Sequence, residues 1–141
     1  MIVELTTGIL MLASVFSGVS TTGKAGISSD STSPSATQSI STESYVREYF
    51  KDIPILAEVS RCESTFRQYG DNGKPLIGKV NKSDIGVMQI NTYYHGESAD
   101  KLGYDLTTID GNLGYARYLY GKYGTDPWSS SSKCWKQLAR K

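Results

Sequence analysis

Apolar and polar positions divide the chain near residue 44. Gly8 to Val19 reads GILMLASVFSGV, twelve residues broken only by Gly and Ser. That is short for a bilayer span, which takes about 20 residues, and it fits the length of a signal-peptide h-region, about 7–15. The preceding MIVELTT holds Glu4 and no Lys or Arg, so the usual positive start is missing. Residues 1–25 are read as a signal-like or anchor segment, with an irregular N-terminus as the alternative. A Ser/Thr/Gly run follows with almost no large apolar residue. It buries too little surface to offset chain entropy, which predicts a flexible linker over residues 26–44.

Helical periodicity begins after Pro54, a residue suited to the first helical position because its missing N–H has no partner there anyway. A helix is predicted from Pro54 to about Glu63. On a helical wheel Ile55, Leu56, Val59 and Cys62 form an apolar stripe, extended by Phe66 if the helix reaches it. Ala57, Glu58 and Arg61 fall on the far side. Glu63 falls between Val59 and Leu56, inside the stripe, where a carboxylate is out of place. A second helix is predicted from Ile109 to about Tyr123. Thr107 and Asp110 are spaced as a capping box with Leu106 as staple. Ile109, Leu113, Ala116, Tyr120 and Tyr123 keep one face apolar, and Gly121 and Gly124 end the helix. Asp71-Asn72-Gly73-Lys74 is a turn signal. Ile85, Val87 and Ile90 around Gly86 suggest a short hairpin or a loop leading into another helix. A last helix is expected near Lys133–Arg140, capped from the serine run before it. The fold class is α+β, mainly α.

Composition narrows the function. The 141 residues carry 15 Lys and Arg against 14 Asp and Glu, a balance that excludes a strongly basic nucleic-acid binder. Lys24 stands against Glu4, Asp30 and Glu43 in the first 44 residues, so residues 45–141 hold 14 basic and 11 acidic side chains, net +3. The ten Tyr against three Phe suit a wet groove, since tyrosine joins an apolar ring to a hydrogen-bonding tip. Cys62 and Cys134 are the only cysteines and His95 the only histidine, which leaves no ligand set for a structural zinc. In an exported protein the two cysteines pair, closing a 72-residue loop worth roughly 4 kcal/mol by chain entropy. Two buried free thiols are the alternative. Residues 45–141 are few for a single core, so such fastening would help.

Chemistry gathers around Glu63. A general acid at neutral pH must keep its proton, and burial beside apolar groups raises a carboxyl pKa. The alternative is a Glu at a helix end that curls into water. Glu63-Ser64-Thr65-Phe66, followed about twenty residues on by Ser83-Asp84-Ile85-Gly86-Val87-Met88-Gln89-Ile90-Asn91, resembles the lysozyme-like superfamily that cleaves peptidoglycan. Within it the likeness is to the soluble-lytic-transglycosylase (SLT) type domain, and the Asp84–Asn91 segment is most similar to its short specialised members and to animal c-type lysozymes. The resemblance covers roughly residues 54–123, extending more weakly through Asn112-Leu113-Gly114. It implies a lysozyme-like fold with a small β-hairpin beside the catalytic helix, over a catalytic domain at 45–141. It implies Glu63 as catalytic acid/base, Ser64 orienting its carboxyl, and Asp84, Met88, Gln89 and Asn91 lining or supporting sugar subsites. Met88 and Ile90 as plain core, and Asn91 as a helix cap, are the competing readings.

Asp84 bears on mechanism. A retaining hydrolase needs a second carboxylate about 5 Å from the acid, and Asp84 stands where c-type lysozymes place theirs. A transglycosylase needs none. The resemblance favours a lytic transglycosylase, with a muramidase or a non-catalytic glycan-binding module as rivals. It calls for no cofactor and no metal. Its expected partner is the glycan strand of peptidoglycan, met by an exported monomer that the N-terminal segment could tether to a membrane. One departure stands out. SLT domains often carry a late A-Y-N segment whose Tyr lies near the Glu, and this chain has none; Tyr115 and Tyr118 are the candidates if any tyrosine replaces it. Trp135 is expected to pack near the cysteine pair, and Trp128 to do the same or to stack on a sugar.

Overall fold

The computed structural model describes residues 39–140. The signal-like segment 1–25 and the linker as far as residue 38 lie outside them. Among the described residues no helix is long and apolar enough to cross a membrane.

The linker expected over 26–44 gives way to structure before its end. Helix α1 spans Thr42–Tyr49, with Ser41 as N-cap accepting from Ser44 N at 3.1 Å. Ser41, which reads as linker, here satisfies one of the free N–H groups of a helix start. Val46 and Phe50, four apart, seat α1 on the core and are both fully buried.

Helix α2 spans Pro54–Ser64, with Pro54 in its first turn. Its buried face differs from the expected stripe. Leu56, Ala57, Val59, Ser60 and Ser64 are buried, while Ile55 and Cys62 are only half-buried. The face is turned toward the small residues Ala57, Ser60 and Ser64, and the hairpin backbone meets it where Ser60 and Ser64 donate to Val87 O at 3.5 and 2.8 Å. The helix does not reach Phe66. Thr65 and Phe66 adopt φ of 57° and 59°, left-handed values that a β-branched or aromatic side chain takes up only under tertiary constraint. This reversal drops the Phe66 ring into the core, with the Arg47 guanidinium 4.9 Å above it.

Strands β1 (Asp84–Ile85) and β2 (Ile90–Asn91) form a two-stranded antiparallel sheet, pairing Asp84 with Asn91 and Ile85 with Ile90. Isolated bridges join Ile77 to Ile85 and Tyr69 to Pro75, the latter closing the Asp71–Lys74 turn. Asn91 then caps α3 (Thr92–Lys101), its side chain accepting from Tyr94 N.

Helix α4 (Ile109–Tyr123) has the expected bounds, but its cap is Thr108, whose side chain accepts from Gly111 N. The Thr107–Asp110 capping box does not form. Thr107 Oγ1 donates instead to Asp105 Oδ1 at 2.6 Å, and Gly111 fills the third helical position. Gly124 ends the helix with φ 59°, whereas Gly121 lies within it. The expected apolar stripe is too narrow. Asn112 to Ala116 and Leu119 are all buried, because α4 runs through the centre, while Tyr123 at the stripe's far end is exposed. Gly114 permits this packing: a Cβ there would lie 2.7 Å from the Tyr104 ring.

A 3-10 helix, Asp126–Ser131, leads into α5, Ser132–Leu138. No serine side chain caps α5. The disulfide Cys62–Cys134 ties α5 to the end of α2. Trp135 is buried close by, its Nε1 donating to Trp128 O at 3.0 Å. The result is a mainly helical domain around a small sheet.

Candidate active site

The loop Gly86–Gln89, between β1 and β2, is held by side chains from four directions. Val87 N donates to Gln68 Oε1 at 2.8 Å, and Met88 N donates to Asn112 Oδ1 at 2.9 Å. Val87 O accepts from Ser64 Oγ at 2.8 Å, and Met88 O accepts from Trp128 Nε1 at 2.9 Å. These backbone groups are buried, so each would cost free energy if left unpaired. Gln68 and Asn112 sit so close that Gly86 must be glycine: a Cβ there would lie 2.4 Å from Asn112 Nδ2, and its φ is +74°. Pinned in this way, the loop holds Gln89 at φ 49°. The Gln89 amide folds back to donate to Gly86 O at 2.9 Å.

Glu63 faces this loop from the end of α2. Two cavities meet at its carboxyl. One, of about 270 Å³, is lined by Glu63, Asp84, Gln89, Asn91, Tyr94 and His95, with Trp128 in its wall. The other, of about 550 Å³, is lined by Glu63, Ser64, Asp84 and Gln89, and by Arg67 and Lys79 at its rim. Glu63, Asp84, Gln89 and Ser130 belong to both, so the cavities are two arms of one groove with Glu63 at its middle.

The Glu63 carboxyl is half-buried, and its pKa lies above the ordinary carboxyl value. Burial is the main cause. A hydrogen bond from Ser131 opposes it, and the negative charge of Asp84 reinforces it. Asp84 is held in turn by Asn91, whose Nδ2 donates to Asp84 Oδ1 at 2.6 Å. His95 in the smaller arm has its pKa lowered by burial, which keeps the ring neutral at neutral pH, and its Nδ1 lies 3.3 Å from Tyr115 Oη.

Of the residues singled out in the sequence, Glu63, Ser64, Asp84, Gln89 and Asn91 all line the groove. Met88 does not. It is fully buried, its neighbour Val87 likewise, and its contribution is the backbone N–H and C=O that anchor the loop. Ser64 has a different task from the expected one. Its hydroxyl reaches Val87 O and Ser60 O and accepts from Arg67 N, with no bond to Glu63. It fastens the hairpin to α2, while the hydroxyl on the Glu63 carboxyl belongs to Ser131, at 2.6 Å. Tyr115 is buried against His95, Tyr104 and Tyr118. Neither Tyr115 nor Tyr118 lines the two arms, and Tyr94 does. Trp128 is buried, its indole N–H spent on the loop, so its ring is chiefly wall. Tyr94, His95 and Ser131 were missed from the sequence. The one legible signal was Asn91 as a cap, which places Tyr94 and His95 in the first turn of a helix beside the hairpin.

Comparison with protein-family models, with curated proteins and with solved structures finds no match to the chain.

Proposed function

We propose that the chain is a peptidoglycan lytic transglycosylase with a lysozyme-like fold, cleaving the β-1,4 bond between N-acetylmuramic acid and N-acetylglucosamine. The observation that carries this reading is Glu63 itself: a carboxyl whose burial favours the protonated form, at the midpoint of an open groove, opposite Gln89. A groove with two arms suits a polymer bound across its length, with the scissile bond over the acid. Gln89 supplies an amide that both donates to and accepts from sugar groups.

In the first step Glu63 gives its proton to the bridging oxygen as the C1–O bond breaks, and the substrate's N-acetyl oxygen stabilises the positive charge that develops at C1. The Glu63 carboxylate then takes the proton of the muramyl C6 hydroxyl as that oxygen bonds to C1. The product is a 1,6-anhydro end, no water is consumed, and Glu63 is reprotonated for the next cycle. The disulfide Cys62–Cys134 fits action outside the reducing cytosol, in keeping with a cell-wall substrate.

One observation favours a second reading. Asp84 lines both arms, and its charge acts on Glu63, as the second carboxylate of a retaining muramidase would. Mass analysis of the fragments released from purified peptidoglycan separates the two. Anhydro ends are the expected result. Reducing ends would replace transglycosylation by hydrolysis, and bound but uncleaved sacculi would leave a glycan-binding module.

A further inference from the structure

The hydrogen bond from Ser131 to Glu63 joins residues 68 positions apart. Ser131 lies at the end of the 3-10 helix, three residues before Cys134, while Glu63 directly follows Cys62. The disulfide therefore fastens beside the carboxyl a segment that is distant in sequence. Among the described residues no other hydrogen bond reaches the Glu63 carboxyl. Ser131 Oγ also lies 3.2 Å from Trp128 O. That carbonyl takes the Trp135 indole N–H as well, and its two lone pairs accommodate both donors.

A hydroxyl has one hydrogen to donate, so the two acceptors of Ser131 alternate. When Glu63 is ionised, Ser131 donates to its Oε1. When Glu63 is protonated, the carboxylic O–H donates to Ser131 Oγ, and the serine hydrogen turns to Trp128 O. Both protonation states are thereby held in one orientation without moving a heavy atom. An acid that must give a proton and then accept one has use for such a partner; a lysine could only donate and a carbonyl could only accept.

From this geometry we infer that Ser131 is the positioning residue of the Glu63 acid/base, a two-state hydroxyl rotor carried to the site by the Cys62–Cys134 bridge. The inference rests on the reading of Glu63 as the catalytic acid. The other ionisable groups facing Glu63 are Asp84 from β1 and His95 and Tyr94 from α3, with Arg67 and Lys79 at the rim of the larger arm. None of them donates a hydrogen bond to the carboxyl.

The test uses Ser131→Ala and Ser131→Thr in the full chain, with two readouts. The first needs no substrate: a pH titration of the Glu63 carboxyl carbon by NMR. Ser131→Ala removes a bond that is stronger to the charged carboxylate than to the neutral acid, so the Glu63 titration moves to higher pH, and Ser131→Thr, which keeps the hydroxyl, restores it. The second is the pH profile of lysis. In Ser131→Ala, kcat falls by about tenfold to a hundredfold, the usual scale for a loosened catalytic group, and the alkaline limb moves upward with the titration. An unmoved titration in Ser131→Ala, or a drop in kcat that Ser131→Thr does not rescue, overturns the role of Ser131. A shifted titration in a protein that lyses nothing leaves the Ser131–Glu63 coupling intact and removes the enzymatic reading instead.

Discussion

The side-chain oxygen of Asn112 accepts the Met88 N–H at 2.9 Å, while its Nδ2 lies 3.1 Å from both Ile85 O and Leu106 O. One fully buried amide thus joins the central helix to the hairpin loop and to the chain entering α4. A polar side chain at the centre of a small core is tolerated because its donor and acceptor atoms are all used.

Replacing it should be costly. Asn112→Ala strands the Met88 N–H and weakens two carbonyls in a dry site, each worth about 1–3 kcal/mol when orphaned. Urea denaturation should show a loss of about 3 kcal/mol or more, and lysis should fall with it because Gln89 loses its seat. A change within experimental error would mean that the loop is held without Asn112.

Glu63→Gln should abolish lysis, since an amide keeps the shape but gives up no proton; general acid–base catalysis contributes about 10²–10⁴-fold. It should also stabilise the fold at neutral pH. The folded-state pKa of Glu63 is raised above its unfolded value. The carboxyl's contribution to stability is therefore fully present below the unfolded pKa, about 4.3, and is lost as pH rises through the folded value. At pH 7 the variant escapes that loss and should melt above wild type, and the gap should close on acidification below about pH 4. Equal melting curves at both pH values would count against a buried, proton-favouring carboxyl.

Asp84→Asn separates the two mechanisms within one variant. The new side-chain oxygen can still accept from Asn91, so the site keeps its geometry. A transglycosylase should retain activity within about tenfold, while a hydrolase relying on a carboxylate partner should lose about a hundredfold or more. In either case removal of the negative charge lowers the Glu63 pKa, and the alkaline limb of the activity profile should move to lower pH.

Reduction should act on both stability and site. Cys134 is exposed, so the bridge is open to reductant. Its loss should lower stability by about 2–4 kcal/mol, read as a drop in melting temperature under dithiothreitol. An unchanged melting point would show that the bridge does not hold α5 to α2 in solution.

Some of this molecule was legible because its causes are local. Pro54 starts a helix by its own covalent geometry, Gly124 ends one by its freedom to adopt positive φ, and the spacing of Leu113 and Ala116 marks a helix face within a few turns. The cysteine pair needed only an oxidising compartment to be read as a bridge. The linker boundary was misplaced for the same kind of reason. A serine that caps a helix and a serine in a tether look alike until Val46 and Phe50 find a core to enter.

The sequence by itself determined the helices α2 and α4 and a carboxylate at the end of the first, and left the segment around Gly86 open between a hairpin and a loop leading into a helix. Tertiary structure alone decided what that carboxylate meets. Ser131 reaches the Glu63 carboxyl from a segment far along the chain, Tyr94 and His95 enter the groove from the helix that Asn91 caps, and Met88 is buried while Asn112 and Trp128 hold its backbone. Hydrogen bonds between distant segments leave no period in the sequence, since their geometry exists only after the layers have packed.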